Sequence, residues 1–242
     1  MNVPDLAVPI IAGTAIRGVA ASLMMRTVLQ RHPNAFLITL ANFGVTLPLH
    51  RSQDHLARDI RAGLQRMGRD PGHPLVLVGH SQGGLAVLRY AIDHPQQVLH
   101  VISVGAPWSG AVSATRVTNV LGKRGSTLVP AISDMRQGSR FLQSLHRELP
   151  RIADRVTNIY STHELFIRPY TDAHITVPGV QNILIASEEE HVRHLAVYPE
   201  LPVDDLIMGR VNHMNEMNSP MVRARIWAKV DQVALAHGLL RQ

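Results

Sequence analysis

A short apolar run ends in a serine framed by glycines, and a helical pattern takes over at once; no other feature restricts the fold of this chain as much. Leu75-Val76-Leu77-Val78 is apolar at every position, as a strand covered on both faces of a parallel sheet must be. Gly79-His80-Ser81-Gln82-Gly83-Gly84 follows and matches the spacing G-x-S-x-G. A chain that turns this sharply from strand to helix holds its central residue in a strained conformation and leaves no room for flanking side chains. The serine hydroxyl then stands above the carboxyl edge of the sheet. The amide of Gln82, at the start of the new helix, can point at a developing oxyanion. Such strings also arise by chance in ordinary turns, but the strand before, the helix after and the additional Gly84 favour a nucleophile.

The rest of the chain repeats this alternation. Strands are expected at Leu6 to Ala12, Ala35 to Leu40, Leu75 to Val78, Val98 to Val104, Val156 to Tyr160 and Gln181 to Ile185. Pro9 is an awkward member of the first, because proline cannot donate to a ladder. Helices are expected at Ala20 to Leu29, at Gln53 to Met67 with Leu56, Ile60, Leu64 and Met67 as its apolar stripe, and at Gly84 to Asp93. A final helix begins at Ser219-Pro220 and carries Val222, Ile226, Val230 and Val233 on one face. Strand, helix, strand, helix predicts an α/β fold: a doubly wound, mostly parallel sheet with helices on both faces. Residues 108–155 break the rhythm and are expected to form a small cap or lid insert.

With 242 residues and no linker or repeat, one domain over residues 1–242 is expected. The net charge of +6 comes from scattered residues rather than a basic run, so a solvated surface is expected and nucleic acid is not an expected partner. The absence of cysteine removes disulfides, thiolate catalysis and cysteine zinc sites. Leu6 to Met25 is fairly apolar, but it lacks a basic leader and is broken by Pro9 and Arg17. Cytoplasm is the expected compartment unless a leader has been removed.

On the serine elbow and its context, the chain resembles the lipase and esterase branch of the α/β-hydrolases, from about Leu6 to Pro199. The resemblance implies a Ser, acid, His order. Glu164, in Ser161-Thr162-His163-Glu164-Leu165-Phe166, stands at the acid position, where aspartate is usual; Asp172 is the nearest substitute. For the base, His194 before Leu195-Ala196 matches better than His191. His163, His191 and His194 lack the spacing of zinc helices, so no metal is expected. The second oxyanion donor is expected from the amide of Thr14, after Ala12-Gly13. Ser103-Val104-Gly105-Ala106-Pro107-Trp108 and Asp134-Met135 resemble substrate-facing segments, making Trp108, Met135 and His80 candidate substrate contacts. Phe141, Leu142 and Leu145 are read instead as packing residues.

The expected activity is therefore hydrolysis of carboxylic esters through an acyl-enzyme, without a cofactor. The expected partner is a small-molecule or lipid ester, with transient contact at a lipid interface. A thioesterase, amidase or acyltransferase on the same three residues, or a non-catalytic binding protein on this fold, is the alternative.

Overall fold

The computed structural model describes residues 4–13, 32–39, 47–111 and 130–240. The expected helix at Ala20 to Leu29 lies outside them, as do Thr14 and residues 112–129 of the expected insert.

Among the described residues, seven strands form one sheet: β1 (Val8–Ala12), β2 (Ala35–Thr39), β3 (Leu75–His80), β4 (Val98–Val104), β5 (Val156–Ser161), β6 (Gln181–Ala186) and β7 (Asp205–Met208). Their order is β2-β1-β3-β4-β5-β6-β7, and every neighbouring pair is parallel. The chain winds one way from β1 to β2 and the other way from β3 onward. Their boundary, between β1 and β3, opens a crevice at the carboxyl ends of the strands.

Along β3 the side chains alternate between two cores, as a two-residue period requires. Leu75 and Leu77 pack with one cluster, and Val76 and Val78 with the other. The first core is covered by α1 (Leu49–Arg66) and α2 (Gln82–Asp93). The second is covered by α6 (Pro220–Ala236), whose Val222, Ile226 and Val230 are fully buried. Between these lie α3 (Pro130–Asp134), α4 (Arg140–Glu148) and α5 (Glu188–Val197).

Pro9 fits because its missing donor falls at a gap. The Ala7 N–H goes to Pro74 on the β3 side and the Val8 N–H to Asn34 on the β2 side. The absent Pro9 donor would face β3, where strand pairing resumes only at Ile10 opposite Val78.

Helix α1 begins at Leu49, four residues before its expected start, because the Leu49 N–H donates to Asp134 Oδ2 at 2.7 Å. That cap comes from 85 residues away, so no local signal announces it. In the second half of the expected insert, Phe141, Leu142 and Leu145 are buried in the first core. Ser139 caps α4 by accepting the Leu142 N–H at 3.2 Å. Among the described residues no helix is long and apolar enough to cross a membrane.

Candidate active site

Ser81 is the single non-glycine residue among those described with positive φ, at φ 57° and ψ −127°. It is held there from both sides. Its N–H donates to Val104 at the end of β4 (2.8 Å), and its carbonyl accepts the N–H of Gly84 (2.9 Å) in the first turn of α2. A Cβ on Gly79 would overlap Gly83, and one on Gly83 would overlap the carbonyl of Ile11 in β1. Strand and helix can therefore approach this closely only with glycine at both places. The loop after β1 comes equally near: a Cβ on Gly13 would lie 2.8 Å from Ser81 Cβ and 3.2 Å from its Oγ. Gln82 opens α2 and is buried.

Glu164 follows β5 in the acid loop, and its side chain is fully buried. Its Oε1 lies 3.0 Å from Nδ1 of His213, in the loop between β7 and α6. With Nδ1 engaged, Nε2 is the nitrogen left to act as a base. The two loops are tied together, because the Ser161 hydroxyl donates to the carbonyl of Val211. The ring of Phe166 meets that of His213 edge-on at 5.3 Å.

His80, one residue before Ser81, joins the serine to this pair. Its ring centroid is 4.7 Å from that of His213, and its Nε2 donates to the His213 carbonyl at 3.0 Å. Burial, with the nearby His213 ring second, lowers the His80 pKa to about 3, so the ring is neutral and available as a donor. A second carboxyl completes the cluster. Glu216 is fully buried, with Oε2 at 3.4 Å from His80 Nε2 and 3.9 Å from His213 Nδ1. Gly105, at φ +55°, forms the floor: a Cβ there would overlap Glu216 Oε2 and lie 3.1 Å from His213 Nδ1. Its N–H donates to Ile159 in β5 at 2.8 Å.

The ligand atoms of His80, His213 and Glu216 lie within 4.8 Å of one another, close enough to surround a cation. Two of these atoms are already committed: His80 Nε2 to the His213 carbonyl and His213 Nδ1 to Glu164. A cavity of about 460 Å³ opens beside the cluster, with Glu164, Leu165, Arg168, Arg210 and Asn212 in its wall.

The structure brings Ser81, His80 and Glu164 to one edge of the sheet but not His194, which corrects that expectation. His194 is fully buried on α5, with Nδ1 at 2.8 Å from the Tyr170 hydroxyl and Nε2 at 3.1 Å from the Leu201 carbonyl oxygen. Neither nitrogen is free to serve Ser81, and Glu164 is taken by His213. His191, the other histidine considered, sits on the same helix. His80 is only 1% exposed, so it supports the His213 backbone rather than contacting substrate. Trp108 is also buried, its ring centroid 4.2 Å from that of His146 at a tilt of 39°, and packs in the first core with Met135 against it. Asp172 lies away from the cluster, on the turn that accepts the N–H of Ser109.

Missing from the sequence reading were His213 and Glu216. The available signal was Leu206-Ile207-Met208-Gly209, a short apolar run ending in glycine. Read as a seventh strand, it makes the base the next histidine, ahead of the last helix.

A serine held at a strained elbow above a parallel sheet, beside a buried carboxylate–imidazole pair, has the arrangement of a nucleophilic hydrolase. The family model of the α/β hydrolase fold matches residues 25–171, and the chain belongs to that family. The Bacillus licheniformis lipase BlEst2 in its mature form superposes with a TM-score of 0.55, over 95% of this chain and 92% of that one, at 14% identity. A peroxisomal α/β-hydrolase from Saccharomyces cerevisiae gives 0.58 over 97% and 78%, at 11% identity. A thioesterase domain from the curacin biosynthetic pathway gives 0.53 over 95% and 92%, at 13% identity. By sequence, 70 residues are 34% identical to the phosphatidylcholine-sterol acyltransferase of Mus musculus, covering 27% of this chain and only 16% of that protein.

Proposed function

We propose that the protein is a serine hydrolase that cleaves carboxylic esters, those of lipids above all, through an acyl-enzyme on Ser81. His213 is the base, and Glu164 is the acid that orients it. One observation carries this reading: Ser81 stands in its strained elbow on the same sheet edge as the buried Glu164–His213 pair.

His213 Nε2 takes the hydroxyl proton as Ser81 Oγ attacks the ester carbonyl. The Glu164 carboxylate holds Nδ1–H and stabilises the imidazolium that forms. The amide of Gln82 heads α2 and supplies one oxyanion donor. The amide of Thr14, next after the glycine that packs against Ser81, supplies the second. His213 then protonates the departing alcohol, and water releases the acyl group by the same route. Lipid esters suit the surroundings, because Leu165 and Phe166, beside the acid, are 49% and 46% exposed and offer apolar surface at the rim.

A second reading keeps the acyl-enzyme and passes the acyl group to an alcohol instead of water; the sequence likeness to an acyltransferase favours it. Both readings are tested on p-nitrophenyl esters of short, medium and long chains, with and without an added long-chain alcohol. Hydrolysis that disappears in Ser81→Ala is expected. Ester product formed from the alcohol identifies the transferase. Hydrolysis that persists in Ser81→Ala contradicts both.

A further inference from the structure

Within the cluster beside Ser81, one buried ionisable group has no task in this mechanism. Glu216 is fully enclosed, and Glu164 Oε2 and both Glu216 oxygens have no hydrogen-bonding partner among the described residues. Both carboxyls close on the same imidazole nitrogen, Glu164 Oε1 at 3.0 Å and Glu216 Oε2 at 3.9 Å from His213 Nδ1. Two full negative charges so close together and shielded from water repel strongly; a proton on one relieves the repulsion and gives the other a donor.

We propose that Glu216 is a positioning residue that shares one proton with Glu164, and that its carboxylate takes over His213 Nδ1 when Glu164 cannot hold it. The proposal rests on the Ser81–His213–Glu164 reading given above. In the resting protein the Glu216 O–H donates to Glu164 Oε2, which fixes the carboxylate while Oε1 holds His213. Burial, followed by the charge of Glu164, pushes Glu216 well above the usual carboxyl range, so Glu216 is the partner that keeps the proton. Among the described residues, three titratable groups face it: Glu164 in the acid loop, His80 at the end of β3 and His213 in the loop after β7. His80 is neutral, so the charge that faces His213 is the single negative charge of the carboxyl pair. If Glu164 is made neutral, its charge no longer holds the proton on Glu216; burial still does, and the positive charge that develops on His213 during the reaction opposes it. Glu216 then ionises, losing the proton to solvent, with Oε2 already 3.9 Å from His213 Nδ1.

The test compares Glu164→Gln, Glu216→Gln and the double variant by kcat/KM on p-nitrophenyl butyrate across pH, beside Ser81→Ala. Glu216→Gln keeps a neutral donor; it should lower kcat/KM roughly threefold to tenfold and leave the acid limb of the profile in place. Glu164→Gln should lose about a hundredfold. The double variant should fall to about the 10⁴-fold loss typical of a histidine without its acid, more than the two single effects multiplied. A double variant no worse than Glu164→Gln would overturn the proposal. So would an acid limb moved down by a pH unit or more in Glu216→Gln, because Glu216 would then have carried charge. That second measurement stands even if Glu164→Gln does not fold. Activity surviving in Ser81→Ala would instead sink the underlying hydrolase reading.

Discussion

Gly105 shows how a single backbone atom set can decide a site. Its left-handed φ suits glycine, and its missing side chain leaves the space that Glu216 Oε2 and His213 Nδ1 occupy. Gly105→Ala therefore acts twice. The left-handed conformation costs about 1–3 kcal/mol for a residue with a Cβ. The new methyl also displaces Glu216 and, through it, the pair it supports. Thermal denaturation should show a lower Tm, and ester hydrolysis should fall at least tenfold under conditions where the variant remains folded. Unchanged activity would mean that the carboxyl pair has no part in the reaction. His194 is the converse case. Its place in chain order suits a base, but what decides a histidine's role is where its nitrogens are committed, and Tyr170 and Leu201 hold both.

Helix α1 depends on a partner outside itself. Asp134 ends α3 and accepts the first N–H of α1, doing the work of an N-cap that the preceding Pro48 cannot do. Asp134→Ala should lower stability by about 1 kcal/mol, read as a shift in the denaturation midpoint, with little effect on kcat. Elements with a local signal were legible in the sequence: β3 from its unbroken apolar run and α6 from its stripe beginning at Pro220. The elbow was legible too, because its glycines are demanded by a turn a few residues long. The strand β7 was not. Its four residues, Asp205–Met208, form an edge with one buried position, Ile207, so they lack the continuous apolar run of the inner strands. Overlooking that strand made β6 seem the last, and the search for the base stopped at α5. Glu216 had no signal at all, since only folding brings it against Glu164.

Across the whole molecule, buried histidines tie stability to pH. Burial lowers His80 to about 3, with His213 adding to it; burial likewise lowers His100 to about 3, with Lys229 and His237 adding to it. A histidine lowered from 6.5 in the folded state is protonated first in the unfolded chain. Its contribution is complete above pH 6.5 and is lost as pH falls towards 3. Each such group tilts stability by about 1.4 kcal/mol per pH unit in that window. Glu216 has the opposite sign. Raised above 4.5, it stabilises fully below that value and loses its contribution as pH rises through its folded value, so it offsets part of the tilt between pH 4.5 and 6.5. Chemical denaturation at intervals from pH 8 to pH 4 should give a decline below 6.5 that steepens below 4.5, where the opposing contribution of Glu216 ends. In His100→Gln, which keeps a donor for Thr157, the decline should be shallower by the share of one proton. A decline of unchanged slope in that variant would contradict the assignment.

The central claim is that Ser81 reacts because His213, held by Glu164, activates it. The most direct measurement is the rate at which a fluorophosphonate labels Ser81 in the native chain, in His213→Ala and in His194→Ala. Rapid labelling of the native serine is predicted, slowed by about 10³-fold or more in His213→Ala and little changed in folded His194→Ala. Labelling that survives the loss of His213 but not of His194 would contradict the account and return the role of base to α5.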